Sequence, residues 1–146
     1  EEYQDMGYLP EAMRNYLLRL GWSHGDDEII TTEQALEWFN LENIGKSAAR
    51  FDFQKLENLN SHYLTVADDK RLLELIIPRL EKDHDLKIDE NSLAAERLLQ
   101  GMPELKERAK TLIQLAAEGA FYAKTVPFSY DEKAANLVES GFEAFA

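Results

Sequence analysis

The sequence predicts an all-α fold made of two small helical subdomains, residues 1–64 and 65–146. Apolar residues recur at helical spacing along nearly the whole chain. Capping residues or a proline stand ahead of most of these stripes. No stretch shows the two-residue alternation of a half-buried strand, and there is no internal repeat or low-complexity tract.

Leu9, Met13, Tyr16, Leu17 and Leu20 form the first stripe. Pro10 suits its opening turn and Gly21 can supply a left-handed stop. Trp22 to Glu28 reads as a turn or loop. Thr31-Thr32-Glu33-Gln34 has the capping-box spacing and should open a short helix that buries Leu36 and Trp38 or Phe39. Residues 40–48 form a connection with a brief helical turn. Asp52 then caps a helix to about Leu64, with Phe53, Leu56, Asn60 and Tyr63 on one side. Lys55, Asn58 and His62 lie opposite, within about 60° of one another at 100° per residue, and should face outward.

The second subdomain opens with Asp68 or Asp69 capping a helix that turns Leu72, Leu73, Ile76 and Leu80 inward and is kinked by Pro78. Residues 83–91 are a polar connection. A helix from about Ser92 is expected to stop at Gly101, and Pro103 to open another carrying Leu105, Ala109, Leu112 and Ala116. A break at 124–129 precedes a last amphipathic helix over 131–145.

A chain of 146 residues with 45% apolar content can bury a sizeable core. No apolar run approaches the length of a membrane span, and the first residues lack the basic and apolar regions of a signal peptide. The absence of cysteine excludes disulfides, thiol catalysis and cysteine-ligated metals. These features point to a cytoplasmic protein. The net charge of −12 argues against binding nucleic acid through a uniform surface. Two weakly basic islands stand out from it. In 46–55, Lys46, Arg50 and Lys55 face only Asp52; in 97–110, Arg97, Lys106, Arg108 and Lys110 face Glu104 and Glu107.

Few residue patterns suggest chemistry. Glu81 and His84 have the spacing used in di-iron bundles, but no second such pair occurs. The segment from Asp85 to Glu96 has Lys87 and Glu90 where a calcium loop needs an acid and a glycine. His24 beside Asp26 could be imagined as a general base, but no nucleophile accompanies it; a turn histidine bonded to backbone is the simpler reading. No phosphate-cradling glycine motif is present. The row Lys55, Asn58, His62 can offer one charge and two hydrogen-bonding groups to a phosphodiester, and Arg108 a planar fork for a phosphate or a base edge. An ordinary solvated helix face is the competing reading of both.

Two segments carry a family resemblance: residues 7–26, GYLPEAMRNYLLRLGWSHGD, and residues 49–60, ARFDFQKLENLN. In that order and separation they resemble bacterial glutamyl-tRNA synthetases. Looser similarity continues through Arg108-Ala109-Lys110-Thr111-Leu112. The resemblance implies part of an enzyme that joins glutamate to its tRNA with ATP and magnesium. The family's two class I catalytic signatures do not occur in these residues, so an excised piece is expected: the stem-contact fold over 1–64 and the first anticodon-binding subdomain over 65–146. It implies no cofactor in the piece itself and no catalytic residue. The expected partners are tRNA(Glu) and the enzyme's catalytic domain and final anticodon-binding subdomain, with no role for DNA or a membrane.

By resemblance, Lys46, Arg50, Lys55, Asn58 and Arg108 are the tRNA-contacting residues. Lys55 matches the lysine of the family's Phe-Asp-x-x-Lys-Leu motif; Asn58 stands where the family often has tryptophan. The alternatives are an acidic helical protein–protein interaction module without tRNA binding, and an independent enzyme built on His24 and Asp26.

Overall fold

The computed structural model describes residues 2–45 and 50–124. Seven helices occur among them: α1 (Glu2–Asp5), α2 (Pro10–Gly21), α3 (Thr32–Trp38), α4 (Phe53–Val66), α5 (Asp69–His84), α6 (Leu93–Arg108) and α7 (Leu112–Ala123). The one β-type pairing among the described residues is an isolated bridge between Trp22 and Ile44. The fold is all-α. Lys46 and the helix expected over 131–145 lie outside the described residues.

Side-chain caps start the helices where their residue types predict. Thr31 and Gln34 form a reciprocal capping box. The Asp52 carboxylate accepts from the amides of Gln54 and Lys55. Asp68 and Ser92 cap α5 and α6, and Thr111 caps α7, a start that the apolar spacing did not mark. Such caps satisfy amides the helix leaves free, at about 1 kcal/mol each.

Packing departs from the expected pattern at several points. Gly21 supplies no left-handed stop: it is the last residue of α2, and the chain leaves through an extended Trp22. Burial of that indole and its bridge to Ile44 direct the exit. Leu17 is exposed, because α2 turns Ala12, Asn15 and Tyr16 inward instead. Phe53, expected inside α4, is 49% exposed. In α3 Leu36 is 80% exposed, Phe39 just past its end is 49% exposed, and only Trp38 of the expected set is half-buried.

The largest departure is α6. It runs unbroken through Gly101 and Pro103, where a stop and a new start were expected. A Cβ on Gly101 would lie 2.8 Å from the Tyr122 ring, so glycine here permits close approach of α6 and α7. Pro103 sits on the exposed side, where the missing amide costs least, and buried Met102 and Leu105 flank it. By contrast α5 continues through Pro78, as its spacing predicts, and runs to His84, ending at Asp85 in the left-handed conformation. Leu105, Ala109, Leu112 and Ala116 are all buried, but the corner from Ala109 to Thr111 divides them between α6 and α7.

The main core joins α5, α6 and α7, with Leu64 of α4 and Leu9 and Ala12 from the start of α2. A smaller cluster holds Tyr8, Tyr16, Leu56 and Leu59 between α2 and α4. Asn60, fully buried on α4, fastens the two together: its Oδ1 accepts from the Leu9 amide at 2.8 Å, and its Nδ2 donates to the Lys110 carbonyl at 2.6 Å.

An ion pair also ties α2 to α5. Arg71 forks onto the Glu11 carboxylate at 2.5 and 3.1 Å. The hydrogen bonds from Arg71 hold the Glu11 carboxyl below its ordinary value of 4.5. A carboxylate with a depressed folded pKa contributes stability that is fully present above its unfolded pKa and lost as pH falls through the folded one. Because the Arg71 side chain is 44% exposed and solvent screens the pair, the contribution is at most about 1 kcal/mol. Glu11→Gln should therefore be less stable than wild type at pH 7 by about that amount, with the gap closing below pH 4.5. Urea denaturation at a series of pH values checks this; a gap independent of pH would show that the ion pair contributes nothing.

Candidate RNA-contact cleft

The face that gathers positive charge is built by α4 and the end of α2. The start of α4 is anchored by aromatic packing: Phe51 meets Tyr16 edge-on at 4.8 Å and Phe53 at 4.9 Å, and the Tyr16 hydroxyl accepts from the Asp52 amide at 2.6 Å. Arg50 immediately precedes this anchor. On the next turns Lys55, Asn58 and His62 are all exposed and aligned, as their spacing predicted.

The opposite wall comes from Arg19 in the last turn of α2 and from Glu28 and Ile29 in the following loop. Asn15 positions that loop. Its Oδ1 accepts from the Ile30 amide at 2.9 Å and its Nδ2 donates to the Glu28 carbonyl at 3.1 Å. The Tyr63 hydroxyl donates to the same Oδ1 at 2.8 Å, and burial raises the phenol pKa, keeping it a donor at neutral pH. The result is a cleft of about 570 Å³ in which Arg19, Arg50, Lys55, Asn58 and His62 converge, with Glu28 as the acid among them. Asn58 also accepts from the Gln54 side chain at 3.3 Å. Such an arrangement can hold an extended anion by point charges, guanidinium forks and neutral hydrogen bonds.

The second basic island does not gather in this way. Lys106 is spent internally, donating to the Ala67 carbonyl at 3.0 Å and pairing with Asp69 at 2.6 Å. Arg108 is exposed at the end of α6, in a separate depression of about 360 Å³ shared with Glu104 and Glu118. Those two acids weaken its positive potential. His24 meets Asp27 rather than Asp26, at 3.0 Å, and its ring lies against Trp38 with centroids 4.2 Å apart. Its side-chain partner is thus a carboxylate, not backbone, and the stack covers one face of the ring.

Sequence reasoning gathered Arg50, Lys55, Asn58 and His62 but missed Arg19 and Asn15. An arginine in a helix's last turn carries no mark of which neighbour it will face. An asparagine amid an apolar stripe, at Asn15, was the available signal that a loop would be hydrogen-bonded there.

A family model described as class I tRNA synthetases (E and Q), catalytic domain, matches residues 1–58, and one described as anticodon binding domain matches residues 70–141. The chain is 58% identical over 138 residues to glutamate–tRNA ligase 2 of Paramagnetospirillum magneticum and 55% identical over 140 residues to that of Rhodospirillum rubrum. These alignments take in 94% and 95% of the chain. The chain spans 28% and 29% of the length of those relatives. A crystal structure of a glutamate tRNA ligase from Elizabethkingia meningosepticum, in complex with its amino acid, superposes on 92% of the chain with a TM-score of 0.70 and 30% identity, over 26% of its own length. Two family models in tandem, high identity along almost the whole chain and a matching fold place it together: the chain belongs to the glutamate–tRNA ligase family of class I tRNA synthetases.

Proposed function

We propose that this chain is the tRNA-binding portion of a glutamate–tRNA ligase, with residues 1–64 as the stem-contact subdomain and 65–146 as the first anticodon-binding subdomain. The parent enzyme ligates glutamate to tRNA(Glu) in the cytoplasm using ATP and magnesium. Its catalytic domain and its final anticodon-binding subdomain are this chain's partners within the same enzyme. This reading assigns ATP and magnesium to the catalytic domain and to no residue of this chain. The portion alone forms no glutamyl-adenylate in this reading.

The supporting observation is the convergence of Arg50, Lys55 and Asn58 in one cleft, within a chain of net charge −12. Phosphate contacts by Lys46, Arg50 and Lys55 orient the tRNA, Asn58 adds a neutral hydrogen bond, and Arg108 contributes on the anticodon side. Helical packing holds Arg50, Lys55 and Asn58 at a fixed separation from Arg108. A correct anticodon is thereby coupled to placement of the acceptor end.

Lys55→Ala should weaken binding of all tRNAs and lower the slope of log affinity against log salt by about 0.7–0.9. Arg108→Ala should cost about 1–3 kcal/mol selectively for cognate anticodons if its fork reads a base. Filter binding across a salt series measures both. An unchanged slope removes Lys55 from the interface, and a uniform loss makes Arg108 a phosphate contact.

A second reading, an acidic protein–protein interaction module, is favoured by the exposed Leu36, Phe39 and Leu41. A gel shift with glutamate tRNA at low salt separates the two: no shift favours the second.

A further inference from the structure

Arg19 and Glu28 face one another in the cleft at 3.6 Å, longer than a hydrogen bond. Glu28 is mounted unusually for a cleft acid. Its carbonyl and the Ile30 amide are both fastened to buried Asn15, while its side chain is 75% exposed. The carboxylate can swing into solvent without moving the backbone that carries it. Arg19, 36% exposed, stays on the wall opposite Lys55. An exposed pair this loose costs little to open.

We propose that Glu28 is an internal stand-in for RNA phosphate: Arg19 gives up the Glu28 carboxylate and takes a backbone phosphate of a strand lying in the cleft between α2 and α4. This rests on the tRNA-binding reading above and adds a contact from α2 to those on α4. With Arg19 on one wall and Arg50 and Lys55 on the other, the strand is held from both sides. The exchange also sets a threshold. A single small anion gains too little from Arg19 to displace Glu28, whereas a polyanion that already engages Arg50 and Lys55 displaces it at small additional cost. Glu28 thus lowers affinity for stray anions more than for RNA.

The test is filter binding of glutamate tRNA to the 146-residue chain across a salt series, with Lys55→Ala, Arg19→Gln, Glu28→Gln and the Arg19→Gln/Glu28→Gln double variant. Helical circular dichroism of each confirms folding. Arg19→Gln should weaken binding and lower the salt slope by about 0.7–0.9, as for one phosphate. Glu28→Gln should tighten binding about two- to fivefold, the scale of an exposed ion pair. That gain should shrink by at least half in the Arg19→Gln background, because the two groups act through one contact. If wild type binds and Lys55→Ala weakens it, but Glu28→Gln changes nothing or gains equally without Arg19, the exchange is overturned and the tRNA reading stands. If wild type does not bind tRNA, both fall.

Discussion

Asn60→Leu should cost about 3–5 kcal/mol, enough to unfold much of the chain at moderate urea. Asn60 is fully buried, yet it is there for its amide and not its bulk. Leucine would leave the Leu9 amide and the Lys110 carbonyl without their partner in the interior. Each orphaned buried group costs about 1–3 kcal/mol. The two bonds reach the start of α2 and the corner between α6 and α7, so their loss loosens both core clusters at once. Urea denaturation should give a lower midpoint with an unchanged m-value. Asn60→Asp supplies a sharper check. A protonated carboxyl can accept from Leu9 and donate to Lys110, whereas a carboxylate cannot donate. Burial and that donated bond raise the folded pKa of the new acid, so its stability is present at low pH and lost as pH rises. The deficit against wild type should therefore narrow as pH falls; a constant deficit would mean that the Lys110 bond is not what matters.

Gly7→Ala is expected to cost about 2–4 kcal/mol, combining backbone strain with a steric clash. Gly7 adopts φ +87°, a conformation side chains resist. A Cβ there would lie 2.9 Å from the Ile113 amide nitrogen and 3.1 Å from that of Leu112. Neither obstacle is a flexible side chain that could move aside. The Gly7 carbonyl also accepts from the Leu112 amide at 2.9 Å, docking the N-terminal segment on the first turn of α7. Gly25 serves as the internal control. It too has positive φ, at +53°, but a Cβ there would meet open space. Gly25→Ala should cost only the conformational term, about 1–2 kcal/mol. Equal losses at the two positions would show that the contact with α7 contributes nothing.

Local chemistry accounts for what could be read from residue order. Thr31 with Gln34, Asp52, Asp68 and Ser92 start helices where their side chains can reach free amides a few residues on, and that geometry needs no distant partner. The row Lys55, Asn58, His62 was legible for the same reason, since helix period alone aligns it. The failures lie where a local signal had to be weighed against packing elsewhere. Gly101 and Pro103 look like a stop and a start, but the ring of Tyr122, some twenty residues on, is what requires glycine inside a continuous helix. The family resemblance suggested the proposed role of the cationic residues but not their arrangement.

From residue order and type alone come the helical class, the capped starts of most helices, the outward face of α4 and the family to which the chain belongs. Which apolar faces are covered, why Asn15 and Asn60 are buried, and that Arg19 meets Arg50 and Lys55 across one cleft were set by folding in three dimensions. The first group depends on interactions within a few residues, which sequence spacing encodes directly. The second depends on segments distant along the chain competing for the same space and the same hydrogen bonds, and that competition is resolved only when the helices pack.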